Sequence, residues 1–316
     1  MVDSDDVRAL MSLTVIGTVA LDSVETPFGK IEEGLGGSAT HFAASASFFS
    51  PLSLVAVVGE DFPEKHVDFF KSRPIDLECL KRLPGKTFRW KGRYEHDLNT
   101  AHTLDTQLNV LLDFAPQLNG GARRNPFLFL GNIDPSLQER VIDQMEGQPL
   151  IAMDTMNFWI KDYREPLLKT LKKVDMLVIN EGEARLLADT PNLVKASKII
   201  RGLGPKTLIV KRGEYGALVF HGEEIFNAPA LPLEEILDPT GAGDAFAGGL
   251  MGYLAQTGDR SFRNLRKAVI YGSVMASFIV EKFSMDRLRS LSREEIEARY
   301  RLFCELAHFE NFAGAA

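Results

Sequence analysis

The chain has 316 residues, 45% of them hydrophobic, with a formal net charge of −7. It is long enough for one large α/β domain with an appendage, and its acidic balance argues against a basic surface for nucleic acid. No apolar run reaches the ~18 residues of a membrane span. Two cysteines, Cys79 and Cys304, make no disulfide framework and fit a reducing cytoplasm.

Residues 1–10 (MVDSDDVRAL) are acidic and lack the basic and apolar regions of a signal peptide. They read as a disordered extension of a domain spanning 11–310. Beyond them, apolar runs of strand length recur at Leu13–Thr18, Leu52–Val58, Pro126–Leu130, Leu150–Met153, Met176–Ile179 and Thr207–Val210. Near-continuous runs of this kind suit strands covered on both faces. Helical patterns lie between them at Phe62–Lys71, Ser136–Met145, Arg164–Lys173 and Glu181–Ala188. After residue 240 the chain turns helical, over Asp244–Gln256, Phe262–Phe283 and Arg293–Leu306. This alternation predicts an α/β fold with a doubly covered, mostly parallel sheet and ligands at the carboxyl ends of its strands.

Residues 84–112 break the alternation. They read as two extended segments joined by a turn at Asp97–Thr100. Side chains alternate along a strand, so Phe88, Trp90 and Tyr94 share one face with Gly92 between them, and Thr87, Arg89, Lys91 and Arg93 share the other. A small sheet inserted here would serve as a lid with aromatics towards a ligand. A solvated edge strand guarded by cations is the competing reading.

The most informative stretch is Asp238-Pro-Thr-Gly-Ala-Gly-Asp244, followed at once by a helical pattern. Gly241, Ala242 and Gly243 let a ligand approach the backbone where the first helical N–H groups have no intrahelical partner. Those groups and the positive end of the helix dipole attract phosphate. Asp244 follows within the first turn, where the dipole is expected to depress its pKa. A phosphate cradle beside a proton acceptor is the minimum equipment for phosphoryl transfer to a hydroxyl.

At this point the chain resembles the ribokinase-like carbohydrate and nucleoside kinases, the phosphofructokinase-B type, over nearly its whole length. DPTGAGDAFAGG is similar to that family's C-terminal signature, and the other segments follow in the family's order. The resemblance implies the ribokinase-like version of the Rossmann-like three-layer fold, with a small β-sheet lid from segments at about 21–34 and 84–112. It also implies an ATP- and Mg²⁺-dependent kinase acting on a hydroxyl of a small sugar or sugar derivative. A nucleoside kinase is the alternative, with a catalytically silent ligand-binding paralogue behind it. There is no G-x-G-x-x-G directly after the first strand, which sets a dehydrogenase aside.

By the same resemblance, Asp22 and the glycine pair Gly36 and Gly37 bind the substrate, along with His41, where the family often has Asn. His41 either contacts substrate or caps and packs locally. Asp154-Thr-Met-Asn157 is similar to a family segment after a central strand, but Phe158 and Trp159 stand where an Arg is frequent. Asn180 and Glu183 match an N-x-x-E element that organises Mg²⁺, largely through water. They also form a helix-capping arrangement. Lys211, Gly213 and Gly216 belong to a turn that contacts the nucleotide. A monovalent cation such as K⁺ is implied near Asp238 and Thr240. Gly241, Ala242 and Gly243 cradle the phosphate and Asp244 takes the proton. The lid would be completed by a second copy in a homodimer, or packed on its own domain in a monomer.

Overall fold

The computed structural model describes residues 12–98 and 100–308. The expected extension at 1–10 lies outside the described residues. Two sheets organise the molecule. The large one is built from β1 (Leu13–Ile16), β4 (Leu52–Gly59), β5 (Ile75–Asp76), β6 (Leu80–Leu83), β9 (Phe127–Leu130), β10 (Leu150–Met153), β11 (Met176–Asn180), β12 (Thr207–Lys211), β13 (Ala217–His221) and β14 (Glu224–Ala228). Its order is β14-β13-β12-β11-β10-β9-β1-β4-β5, with β6 paired to β4. All pairings are parallel except the hairpin β12-β13-β14, whose strands run antiparallel.

Sequence explains this layering. Every residue of β1 (LTVI), β4 (LSLVAVVG) and β9 (FLFL) is buried, as expected of strands with helices on both faces. One apolar cluster lies on each side of the sheet. On one side the helices Ser38–Ala46, Ala242–Thr257 and Phe262–Ile279 pack on it, with Phe42 stacked on Phe129 at 4.3 Å. On the other side pack Pro135–Ile142, Arg164–Leu171, Glu181–Ala188 and Leu193–Arg201. The helix from Phe262 ends at Ile279 rather than Phe283. The next residues turn back, because the Val280 carbonyl accepts hydrogen bonds from the amides of Leu237 and Asp238.

The small sheet contains β2 (Ala20–Thr26), β3 (Gly29–Gly36), β7 (Arg89–Tyr94) and β8 (Ala101–Gln107), in the order β3-β2-β7-β8. The register pairs Asp22 with Trp90 in parallel, so both side chains emerge on one face. On that face Trp90 lies flat along its own strand. A Cβ added to Gly92 would stand 2.1 Å from the indole. No described helix is long and apolar enough to cross a membrane.

Candidate active site

β1 lies between β4 and β9, so the chain leaves it in one direction first and in the other later. Such a reversal opens a crevice at the carboxyl ends of the strands. Here the Gly131 amide donates to the Ile16 carbonyl, and the Ser38 hydroxyl accepts from the Thr18 amide and donates to the Asn132 carbonyl. The helix Ser38–Ala46 is thereby fixed with its N-terminus at the crevice.

Asp22 reaches the crevice from the small sheet. Its Oδ2 accepts from the Gly37 amide at 3.2 Å, and Gly36 has no side chain because a Cβ there would stand 2.0 Å from that oxygen. The other oxygen, Oδ1, is buried with no hydrogen-bond partner. Burial is the main reason the Asp22 pKa is raised to about 7, and Asp238 adds to the rise. His41 uses Nδ1 to reach the Gly37 carbonyl at 2.9 Å, one turn back in its helix. Its ring lies against Gly241, where a Cβ would stand 2.1 Å from it, and burial lowers its pKa. Local capping and packing thus account for Nδ1 and for one edge of the ring.

The Asp238–Asp244 loop meets this corner from the opposite side. Asp238 is buried, its Oδ1 accepting from the Thr240 amide and its Oδ2 from the Ser284 amide. Thr26 holds the Leu237 carbonyl, and the Thr240 hydroxyl meets the Tyr94 hydroxyl at 3.4 Å. The small sheet therefore grips the loop at two points. Gly241 adopts a left-handed φ of 75° and starts the helix Ala242–Thr257 with no side-chain cap. The Ala242 amide donates to the Pro239 carbonyl at 3.1 Å, so the anion-attracting donors of the uncapped first turn are the Gly243 and Asp244 amides.

Asp244 overturns one expectation. Its pKa is not depressed by the helix dipole; it is raised to about 8. Burial is the largest cause, and the carboxylates of Asp154, Asp22 and Glu183 raise it further, against the opposing pull of Lys211. A carboxylate among carboxylates in a low dielectric resists ionisation more than a first-turn dipole favours it. This makes it a stronger base than an ordinary aspartate once deprotonated.

Lys211 and Glu183 complete the floor. Lys211 ends β12 beside Asn180, and its ammonium meets Asp154 Oδ2 at 3.0 Å. Asn180 and Glu183 make a reciprocal capping box at the head of helix Glu181–Ala188. Capping does not use up Glu183: burial and Asp154 raise its pKa to about 7, and it acts on both Lys211 and Asp244. Among the described residues no three His, Cys, Asp or Glu side chains converge to hold a metal directly. Mg²⁺ keeps most of its waters and takes its other oxygens from phosphates, so a single carboxylate such as Glu183 is donor enough for it. The closely spaced carboxylates fit a cation arriving with the nucleotide. Gly213 and Gly216 have positive φ and form the tight turn from β12 to β13, with the Arg212 amide on the Gly216 carbonyl.

Two contributors escaped the sequence reading. Asp154 was recognised as a motif position but not as the partner of Lys211, which comes from a distant strand. Tyr94 was placed on an aromatic face, yet nothing local pointed its hydroxyl at Thr240. Trp159 is half-buried, donating to Asn132 Oδ1 and packed with Phe158 and Tyr163.

Free first-turn amides, the Asp244 carboxyl with its raised pKa and Asp22 on the facing sheet suit phosphoryl transfer to an alcohol. Comparison with known proteins agrees. Residues 135–288 match the pfkB family carbohydrate kinases. The chain is 31% identical over 251 residues to a cytidine kinase of Thermococcus kodakarensis, covering 77% of this chain and 89% of that protein. Its fold is shared with adenosine kinase from Sinorhizobium meliloti (TM-score 0.78, 18% identity, 92% of this chain and 99% of that one). It is also shared with an E. coli ribokinase II in complex with ATP and Mg²⁺ (TM-score 0.75, 20% identity, 92% and 99%). The chain belongs to the pfkB family of carbohydrate kinases. It is an ATP-dependent kinase of the sugar or nucleoside class.

Proposed function

We propose that the acceptor is a nucleoside, phosphorylated on a hydroxyl of its sugar. The observation that carries this reading is the in-register pair Asp22 and Trp90 on one sheet face. In-register neighbours on adjacent strands stand about 5 Å apart, roughly the span from a sugar ring to its base. The free Oδ1 of Asp22 accepts from sugar hydroxyls, and the half-exposed indole offers a stacking face to the base. Resemblance to the cytidine kinase supports the same choice. A free sugar is the second reading, since Asp22 alone would hold its hydroxyls.

In this mechanism the acceptor hydroxyl lies between Asp22 and Asp244. Asp244 orients it and takes its proton as the acceptor oxygen attacks the γ-phosphorus. With the Ala242 amide bonded to Pro239, the amides of Gly243 and Asp244, beside Gly241, hold the non-bridging oxygens, where most of the rate enhancement arises. Asn180 and Glu183 would hold Mg²⁺, largely through water, and the bound cation would supply charge neutralisation on the phosphates. Lys211, Gly213 and Gly216 line the nucleotide side. Closure of the small sheet as a lid keeps water from the γ-phosphate.

Three finer readings complete the proposal. A monovalent cation such as K⁺ would sit by Asp238 and Thr240 and would offset the charge of the buried Asp238, whose oxygens accept from the Thr240 and Ser284 amides. Equal rates in K⁺ and in a large organic cation would discard it. The enzyme works in the cytoplasm, and β8, exposed at every position, pairs with a second copy.

The first test is ADP release from Mg-ATP against separate pools of nucleosides, sugars, sugar acids and polyols, with Asp244→Asn as control. Turnover in the nucleoside pool alone is the expected result. Turnover with free sugars alone would replace the nucleoside reading.

A further inference from the structure

Lys211 has more to do than line the nucleotide site. Its ammonium reaches across to the helix N-terminus, where a Cβ on Gly243 would stand 2.7 Å from Nζ. The side chain is 17% exposed and its partner Asp154 is 8% exposed, so this ion pair is held out of bulk water.

Asp154 is itself braced. Its Oδ1 accepts from the Thr155 amide at 2.7 Å, leaving Oδ2 for Lys211. Its own amide donates to the Leu130 carbonyl at 2.9 Å. The fully buried Gln138 donates to the Asp154 and Gly131 carbonyls at once, tying the ends of β9 and β10 together. A buried pair costs desolvation that its attraction repays only with good geometry, and here several groups fix that geometry.

We propose that Lys211 is a catalytic residue whose ammonium donates to a non-bridging oxygen of the transferring phosphoryl group, with Asp154 as its positioning carboxylate. This rests on the kinase reading above. In the step considered, the acceptor oxygen bonds to the γ-phosphorus and the bond to the β,γ-bridging oxygen breaks. ADP leaves with that electron pair, and the acceptor proton goes to Asp244. The phosphoryl group thus passes the N-terminal turn at Gly243 and Asp244, where Lys211 stands. Without a cation, the carboxylates of Asp154, Glu183 and Asp244 would repel its oxygens there. Lys211 keeps its charge throughout, because Asp154, Glu183 and Asp244 hold its pKa above the ordinary lysine value despite burial. It is therefore a donor and never competes with Asp244 for the acceptor proton. A donor already fixed before the charge moves stabilises the transition state more than the ground state.

The test compares binding of MgADP with and without aluminium fluoride, which mimics the transferring phosphoryl group and needs no identified acceptor. Wild type should bind MgADP at least tenfold more tightly with the fluoride. Lys211→Met should lose most of that gain, weakening the fluoride complex at least tenfold more than it weakens MgADP alone. Lys211→Arg should recover part of it. Asp154→Asn, which keeps the ammonium but releases it, should retain an intermediate gain, and thermal melting confirms that each variant is folded. A full fluoride gain in Lys211→Met overturns the proposal, as does absence of any gain in wild type. Equal weakening of MgADP with and without fluoride also overturns it, assigning Lys211 to nucleotide affinity alone. Failure of the kinase reading shows separately, as wild type that turns over no acceptor pool.

Discussion

The two sheets that meet at the site are built in opposite ways. In the large sheet β1, β4 and β9 are buried at every position, Asp154 follows β10 and Lys211 ends β12. In the small sheet β8 is exposed at every position, and the face towards the crevice offers one carboxylate, one indole and one phenol. The difference teaches where each task resides. Charge that must be held at fixed distance sits on the buried layer, whose neighbours leave it no room to relax. In the proposed function, selection of the acceptor falls to the small sheet.

The largest effect should come from the buried layer. Asp244→Asn is expected to lower kcat by about 10²–10⁴, the usual yield of general base catalysis, with nucleotide affinity changed only a few-fold. ADP release and equilibrium nucleotide binding measure the two quantities. A variant with near-normal turnover would remove Asp244 from the chemistry and level the distinction between the two sheets. For the wild type, kcat/KM should rise with pH through the raised pKa of Asp244, about 8, because the free enzyme must lose that proton first. The midpoint belongs to the coupled cluster of Asp244, Glu183 and Asp22.

The small sheet should give the next effect. Asp22→Asn keeps the shape but weakens acceptance from two hydroxyls, and loss of a charge-assisted hydrogen bond is worth about 1.5–3 kcal/mol. The acceptor KM should rise roughly 10- to 100-fold, with a smaller change in kcat. If kcat fell as far as in Asp244→Asn, Asp22 would belong to the reaction and the division of labour would fail.

Stability should respond to the same charges. Asp22, Glu183 and Asp244 all have folded-state pKa values raised above their ordinary ones. The folded protein then holds protons that the unfolded chain has released. Their contribution is fully present below about pH 4 and is lost as pH rises to about 8. Free of ligand, the protein should melt several degrees lower at pH 9 than at pH 6, and Asp244→Asn should narrow that gap. An equal fall in wild type and variant would mean that Asp244 titrates at an ordinary value.

That pKa was the part least legible in the sequence. β1, β4, β9, β10, β11 and β12 stood out because each is a short, mostly apolar run, while the parallel edge strands β5 (ID) and β6 (LKRL) carry charges and did not; Gly241–Asp244 stood out because loop, glycine and acid follow in order. β13 (ALVFH) and β14 (EIFNA) were missed; in β14 the polar Glu224 and Asn227 leave an apolar run of only two residues. The helix Leu193–Arg201 was missed too, although Asn192 caps it, because its apolar stripe is only three or four residues long. Within the site, contacts inside one segment could be read, such as the Asn180–Glu183 capping box. Contacts between segments could not. Asp154 and Lys211 are 57 positions apart, and only folding shows that three acids surround one lysine.

The smallest expected effect separates the two sheets most finely. Arg89 faces away from Trp90 on β7 and pairs with Glu33 at 2.9 Å and Asp61 at 2.8 Å. Asp61 also holds Thr87 through its amide and hydroxyl, so Arg89 links the small sheet to the loop after β4. Partly exposed pairs of this kind are worth about 0.2–1 kcal/mol each. Arg89→Gln should therefore lower the melting temperature by a few degrees at most and leave kcat and the acceptor KM within about twofold. Its effect should shrink in high salt, which screens exposed pairs more than buried ones. A selective rise in KM for a phosphorylated acceptor would give Arg89 a different role. The guanidinium would then have to leave both carboxylates to reach a phosphate, and acceptor choice would extend from the inner face of the small sheet to its outer one.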